Sequence, residues 1–246
     1  MRAVGFLRVA RRAAHLLLGG VAIAVVAVVA DAAAPAAGQG TVRGRVTLVE
    51  RSGARGADVR EAVLYLEPTS RLASFASDDG AVLDSSTIAM HRREFVPRVR
   101  VVRVGGRVAF PNDDPFSHNV FSNSTLGPFD LGLYRAGASR TARFPRPGAY
   151  AIYCNIHHRM VSYVVAVPTG LATRPEADGR FTIDGVPAGT YVLHAWHERA
   201  GATSQTVVVG GVGADVAVAL DARDYMPAPH LNKFGLPYSA TRADRY

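Results

Sequence analysis

The chain has 246 residues, enough for one large or two small domains, and its 48% apolar content is that of a globular protein. Lysine and arginine outnumber aspartate and glutamate 28 to 20, yet no basic run is dense enough to form a nucleic-acid patch. A single cysteine, Cys154, excludes an intramolecular disulfide.

The start reads as an export signal rather than as part of the fold. Arg2, Arg8, Arg11 and Arg12 form a basic opening, and Leu16 to Ala30 is an unbroken uncharged run. Small residues follow through Ala32, Ala34 and Ala37, which offer Ala-x-Ala cleavage options. Residues 1–32 are therefore expected to be a secretory signal peptide, with 33–40 as a linker and the periplasm as the destination. The apolar run is short for a membrane span, so an uncleaved N-terminal anchor is the lesser alternative. Loss of four arginines and Asp31 lowers the net charge from +8 to about +5. Such a balance suits acidic partners or association with an anionic membrane surface, although a solvated surface is the simpler account.

Beyond the linker the chain reads as strands. Thr41 to Leu48 alternates, and Ala62 to Leu66 is a second strand, with a turn-rich gap between them. Ser70 to Asp84, containing Asp78-Asp79-Gly80, reads as a loop. Further strands are expected over Ser139 to Phe144, Ala149 to Tyr153 and Val161 to Val167, with a turn at Pro147-Gly148. Pro168 to Gly179 reads as a second linker. Phe181 to Ile183, Tyr191 to Leu193, Gln205 to Val209 and Val216 to Leu220 complete an all-β pattern without any long amphipathic helix.

The chemistry concentrates in Tyr153-Cys154-Asn155-Ile156-His157-His158-Arg159-Met160. Cys154 ends a strand, and a tight loop lets His157 and Met160 fold back toward it. His118, at the head of the short apolar run His118-Asn119-Val120-Phe121, must come from a neighbouring strand. One thiolate, two imidazoles and one thioether are the donor set of a blue-copper site, a trigonal Cys and two His with a long axial Met. Soft sulfur donors favour copper over harder ions, and binding removes the thiol proton. A lone buried thiol used as core filler is the plainer alternative.

Ser117-His118-Asn119-Val120 followed by Cys-x2-His-x2-Met at a strand end resembles a cupredoxin, and the short loop is similar to that of the amicyanin group. The resemblance covers 85–168, from Ile88-Ala89-Met90 through Phe95-Val96-Pro97, Val99 to Val104, Gly105-Gly106 and Val108 to Asn112. One departure is His158, where amicyanin has a proline. The resemblance implies a Greek-key β-sandwich holding one type 1 copper through His118, Cys154, His157 and Met160. It also implies that Asn119 ties the ligand loops together, its amide donating toward the cysteine sulfur.

A second resemblance lies in Gly185-Val186-Pro187-Ala188-Gly189 and the strand after it, which look like a carboxypeptidase regulatory-like, or transthyretin-like, β-sandwich. That fold opens with a segment such as Gly44-Arg45-Val46, which the region after Pro168 lacks. The copper module is therefore expected to be inserted into a discontinuous sandwich made of 41–70 and 175–222. Residues 223–246 form an extended tail, expected to pack through Phe234, Tyr238 and Tyr246 or to stay disordered.

Other polar groups have plainer readings. His194 and His197 fall on opposite sides of a strand, so they do not make a second metal site. Asp113 and Asp114 precede Pro115 and fit turn chemistry. His158 is expected at the solvent rim, and Pro115, Phe116, Phe121, Ile156 and Met160 around the histidine edge. No Ser-His-Asp spacing or phosphate loop occurs, and the paired His-x-His segments of multicopper enzymes are missing. The expectation is an exported electron carrier, not an enzyme, serving a redox partner protein and no small-molecule substrate. The alternative is a copper-binding or scaffolding module without an electron-transfer role.

Overall fold

In the computed structural model, residues 39–52, 56–70, 86–227 and 229–238 are described. The readings of residues 1–38 as signal and linker, of the loop over 71–84 and of Tyr246 lie outside them. Among the described residues the only helical segment is a single 3-10 turn, Val59–Glu61, capped by the Asp58 side chain. The rest of the regular structure is strand, so the chain is all-β.

The strands, in chain order, are β1 (Gln39–Val49), β2 (Val63–Pro68), β3 (Ala89–His91), β4 (Glu94–Val96), β5 (Val99–Arg103) and β6 (Arg107–Pro111). There follow β7 (His118–Ser122), β8 (Phe129–Tyr134), β9 (Ser139–Arg143), β10 (Gly148–Tyr153) and β11 (Val161–Val167). The last are β12 (Ala172–Thr173), β13 (Arg180–Pro187), β14 (Gly189–His197), β15 (Gly201–Val209) and β16 (Ala214–Asp221).

Strands β3 to β11 build one sandwich. One layer is the sheet β5-β11-β10-β7-β8. The other is formed by the pairs β3-β4 and β6-β9, joined by bridges from Thr87 to Ala109 and Met90 to Asn112. Alternate side chains face inward, as a half-buried strand requires. Phe110, Met90, Phe95 and Phe144 on one layer meet Tyr150, Ile152, Val120 and Val164 on the other. The rings of Phe144 and Tyr150 meet edge-on at 5.0 Å.

The remaining strands build a second sandwich, β13-β1-β16 against β12-β2-β14-β15. Here β1 runs antiparallel to β13 and parallel to β16. Neither β1 nor β2 pairs with a strand of the first sandwich. Gly44 is required where β1 passes β16, because a Cβ there would strike the Val216 carbonyl. Val42, Val46, Phe181 and Leu220 from one sheet close on Leu64, Leu66, Tyr191 and Leu193 from the other.

The two sandwiches share a packed face. Val63 of β2 meets Val99 and Val101 of β5 and Val165 and Val167 of β11, with Tyr65, Tyr163 and Trp196 at its margin. This explains the continuous apolar stretch of β11: Val164 and Ala166 point into the first core, Val165 and Val167 into the joint. A polar clasp closes one side of the face. The Arg98 guanidinium donates to both oxygens of Glu198 at 2.6–2.8 Å, and the Tyr225 hydroxyl donates to the same carboxylate at 3.3 Å.

Two expectations change on contact with the structure. The segment read as a second linker carries β12, which pairs with β2, and the buried Thr169 hydroxyl donates to the Leu66 carbonyl at 2.6 Å. Its apolar Leu171, packed on the second core, makes it part of the sheet. In the tail Phe234 does not pack inward: it is 71% exposed, while Tyr238 is the ring that docks.

Candidate metal centre

The first sandwich brings its donors together through two neighbouring strands and one loop. β7 begins at His118, and its Phe121 pairs with Tyr153, the last residue of β10. Cys154 follows at once. The chain then turns through residues 154–160 and returns as β11, whose Val161 pairs with Tyr153. The turn is closed by the Met160 N–H donating to the His157 carbonyl at 3.0 Å and the Cys154 N–H to the Met160 carbonyl at 3.4 Å. Cys154 and Met160 thus lie at the two feet of one loop, with His157 on its span.

His118 Nδ1 and His157 Nδ1 are 3.2 Å apart. Cys154 Sγ lies 3.8 Å from the first and 3.7 Å from the second. A point in the plane of these three atoms is about 2 Å from each, within the range of metal–imidazole and metal–thiolate bonds. Three lone-pair donors crowded this closely, away from water, are relieved by a shared cation or proton. All three residues are buried, and they are the one such His/Cys/Asp/Glu cluster among the described residues.

The outer contacts fix how His118 presents itself. Its Nε2 lies 2.8 Å from Asp114 Oδ2, so Nε2 carries the proton and Nδ1 turns its lone pair to the centre. The Asp114 carboxylate is held in turn by the backbone N–H groups of Arg92 at 2.6 Å and Arg93 at 2.9 Å. Both arginines have positive φ, 53° and 60°, and form the two-residue turn between β3 and β4. Burial acts to raise the Asp114 carboxyl, but the Arg93 N–H, the His118 imidazole and the Arg92 N–H outweigh it and hold it below the usual carboxylate range. Burial lowers His118 below the usual imidazole value, against the pull of Asp114.

Burial also pushes the Cys154 thiol up, while the backbone N–H groups of Asn119, Ile156 and His157 work in the opposite sense. These N–H groups are aimed at the sulfur and favour its thiolate. The Asn119 side chain turns the other way: its Nδ2 donates to Asp130 Oδ1 at 2.7 Å, tying β7 to β8. It is thus the backbone amide of Asn119, not its side-chain amide, that faces the sulfur.

Each residue singled out from the sequence has a definite place. His118, Cys154 and His157 converge. Met160 is buried in the core cluster that contains Cys154, with its backbone bonded as above. Phe116 covers the histidines, 5.2 Å from the His118 ring and 5.7 Å from that of His157, and the Arg93 guanidinium lies 5.0 Å over Phe116. Phe121 is not part of that cover; its ring meets Tyr153 at 5.7 Å. His158 is half-buried and 6.2 Å from the Tyr238 ring. On β14, His194 stacks on Tyr65 while His197 is buried on the opposite face.

Asp114 is the functional residue that turn chemistry alone did not single out. The available signal was its position four residues before His118, close enough to reach the imidazole once the intervening Pro115 turn is made.

No family model matches the chain, and no curated protein matches it. Among solved structures it is similar to a purple cupredoxin from Nitrosopumilus maritimus, at 22% identity and a TM-score of 0.31, over 34% of this chain and 100% of that one. It is also similar to a reduced amicyanin mutant, at 20% identity and a TM-score of 0.32, over 37% of this chain and 87% of the other. A reduced Cu(I) form of another amicyanin mutant at pH 4 is 17% identical, with a TM-score of 0.32, over 44% and 99% of the two chains.

Proposed function

We propose that this chain holds one copper ion through His118, Cys154, His157 and Met160 and carries single electrons between redox partner proteins of the periplasm. The observation that carries this reading is the convergence of two Nδ1 atoms and one Sγ on a point about 2 Å from each. The donor set fits copper: a thiolate and a thioether are soft, and imidazole suits the same metal. Copper, when bound, supplies a one-electron Cu(II)/Cu(I) couple.

The chain's own groups do the rest. Asp114 keeps His118 in the tautomer that binds, and the N–H groups of Asn119, Ile156 and His157 stabilise the thiolate left when the Cys154 proton departs. Strand β7 and the hydrogen-bonded turn between β10 and β11 hold the donors in one arrangement, so a change in charge costs little movement. Of the four, His157 is the least enclosed, 8% exposed against 0% for His118 and Cys154 and 1% for Met160. The edge under Phe116 is therefore the short way between the centre and a partner. The second sandwich, read as a regulatory-like module interrupted by the copper module, would position that edge.

The test is metal analysis and an optical spectrum on full-length protein exported to the periplasm. One copper per chain and an intense visible thiolate-to-copper band, bleached by ascorbate and restored by oxidant, are expected. Cys154→Ser should abolish the band and leave the fold. Failure to take up copper rejects the reading; copper bound without a reversible band favours the copper-binding or scaffolding alternative.

A further inference from the structure

The C-terminal segment leaves the second sandwich at Ala222 and returns to the first, where it crosses the loop that bears Cys154. Its course is set by a turn at Asn232. The Asn232 Oδ1 accepts from the Phe234 and Leu236 N–H groups at 2.9 and 3.1 Å, and Gly235 takes the positive φ of 75° that the turn needs. From this turn the segment reaches back on both sides. The Lys233 N–H donates to Asn155 Oδ1 at 3.0 Å, and Lys233 Nζ to Asp130 Oδ2 at 2.7 Å. The other oxygen of Asp130 receives the Asn119 side chain. The Tyr238 hydroxyl donates to the Cys154 carbonyl at 2.8 Å. The His230 ring stacks on Tyr153 at 4.0 Å and 20°, and Tyr238 closes edge-on against His230 at 5.1 Å.

These contacts fall on Tyr153, Cys154 and Asn155, and through Asp130 on Asn119. Cys154 is itself one of the donors, Tyr153 and Asn155 flank it, and Asn119 follows His118. The carbonyl of Cys154 is the first one beyond the ladder of β10, so an orphaned acceptor would remain there without Tyr238.

We propose that residues 230–238 are a clamp on the metal-binding loop, with Tyr238 and His230 as positioning residues that hold Cys154 and screen its thiol from solvent. This rests on reading 154–160 as the ligand loop of a copper centre. The clamp acts through the Cys154 carbonyl and the Tyr153 ring, not by touching the metal. It lies over Tyr153, Cys154 and Asn155, and Tyr238 also faces His158 at 6.2 Å.

The test measures the rate at which iodoacetamide alkylates Cys154 in the metal-free, full-length protein. Tyr238→Phe keeps the ring and removes one hydroxyl, so folding is preserved; it should alkylate at least about fivefold faster than wild type. His230→Ala should do the same, and the double substitution more. Met226→Ala, an exposed change in the same tail, should leave the rate as it is. In the copper-loaded protein Tyr238→Phe should also shift the thiolate-to-copper band, which general destabilisation would not do. Equal rates in wild type and all three clamp variants, or equal acceleration by Met226→Ala, overturn the proposal. Accelerated alkylation in a protein that takes up no copper removes the copper reading and keeps the clamp; a blue protein with unaltered alkylation removes the clamp alone.

Discussion

At the scale of single residues, the centre depends on a carboxylate that binds no metal. Asp114 accepts from two backbone N–H groups, in part-buried bonds, and from the buried His118 ring. The two N–H groups come from Arg92 and Arg93, which occupy a conformation better suited to glycine or asparagine. Local strain in that turn is maintained because the turn aims both donors at one anion. Asp114→Ala leaves these donors without an acceptor and frees the His118 ring to rotate. It should cost about 3 kcal/mol of stability, read from urea unfolding, and lower copper affinity about 10- to 100-fold, read by competition with a chelator.

At the scale of elements, β14 illustrates how one strand separates two histidines. His194 faces Tyr65 and Glu67, whereas His197, the last residue of the strand, is enclosed and accepts the Arg199 N–H at 3.1 Å. Burial lowers the His197 value below that of a free imidazole, with Arg199 acting in the same direction and the Asp58 backbone and Glu198 opposing. The folded form therefore binds its proton less readily than the unfolded chain does. The stability this neutral ring supplies is complete above about pH 6.5 and is lost as pH falls through the lower folded value. Wild type should exceed His197→Gln in urea midpoint at pH 7, and the gap should narrow toward pH 5.

Elements also show what was legible from the residues and what was not. The donors of the centre could be read because their spacing is local: Cys154, His157 and Met160 lie within one turn, and His118 heads the adjacent strand. Strands β1, β10 and β16 could be read from alternation, and β11 from its continuous apolar run. β8 could not, since Asp130 and Gly132 interrupt its pattern; Gly132, at φ 69°, donates its N–H to Asp130 Oδ1 at 2.9 Å. The role of Asp114 depends on N–H groups 21 and 22 positions earlier in the chain. The tail contacts depend on partners about 80 residues away, and such distances leave no period in a sequence.

For the whole molecule, the decisive feature is the apolar face between the sandwiches. Both sandwiches fall in one compact unit, and Val63, Val99, Val101, Val165 and Val167 pack together at the joint. The two sandwiches should therefore unfold in a single calorimetric transition. Val165→Asp places an unpaired charge in the joint without touching either inner core; it should cost about 4 kcal/mol and split the endotherm in two. A single, merely shifted endotherm in that variant would mean that the joint does not couple them.

The position of β1 has a consequence for the order of events on synthesis. That strand lies between β13 and β16, so both of its edges wait for partners made some 140 to 170 residues later. The strands of the first sandwich, β3 to β11, all find their neighbours before then. A chain emerging from its amino end can thus finish its first sandwich while the one that flanks it is still open, and the earliest described strand is among the last to be locked in place.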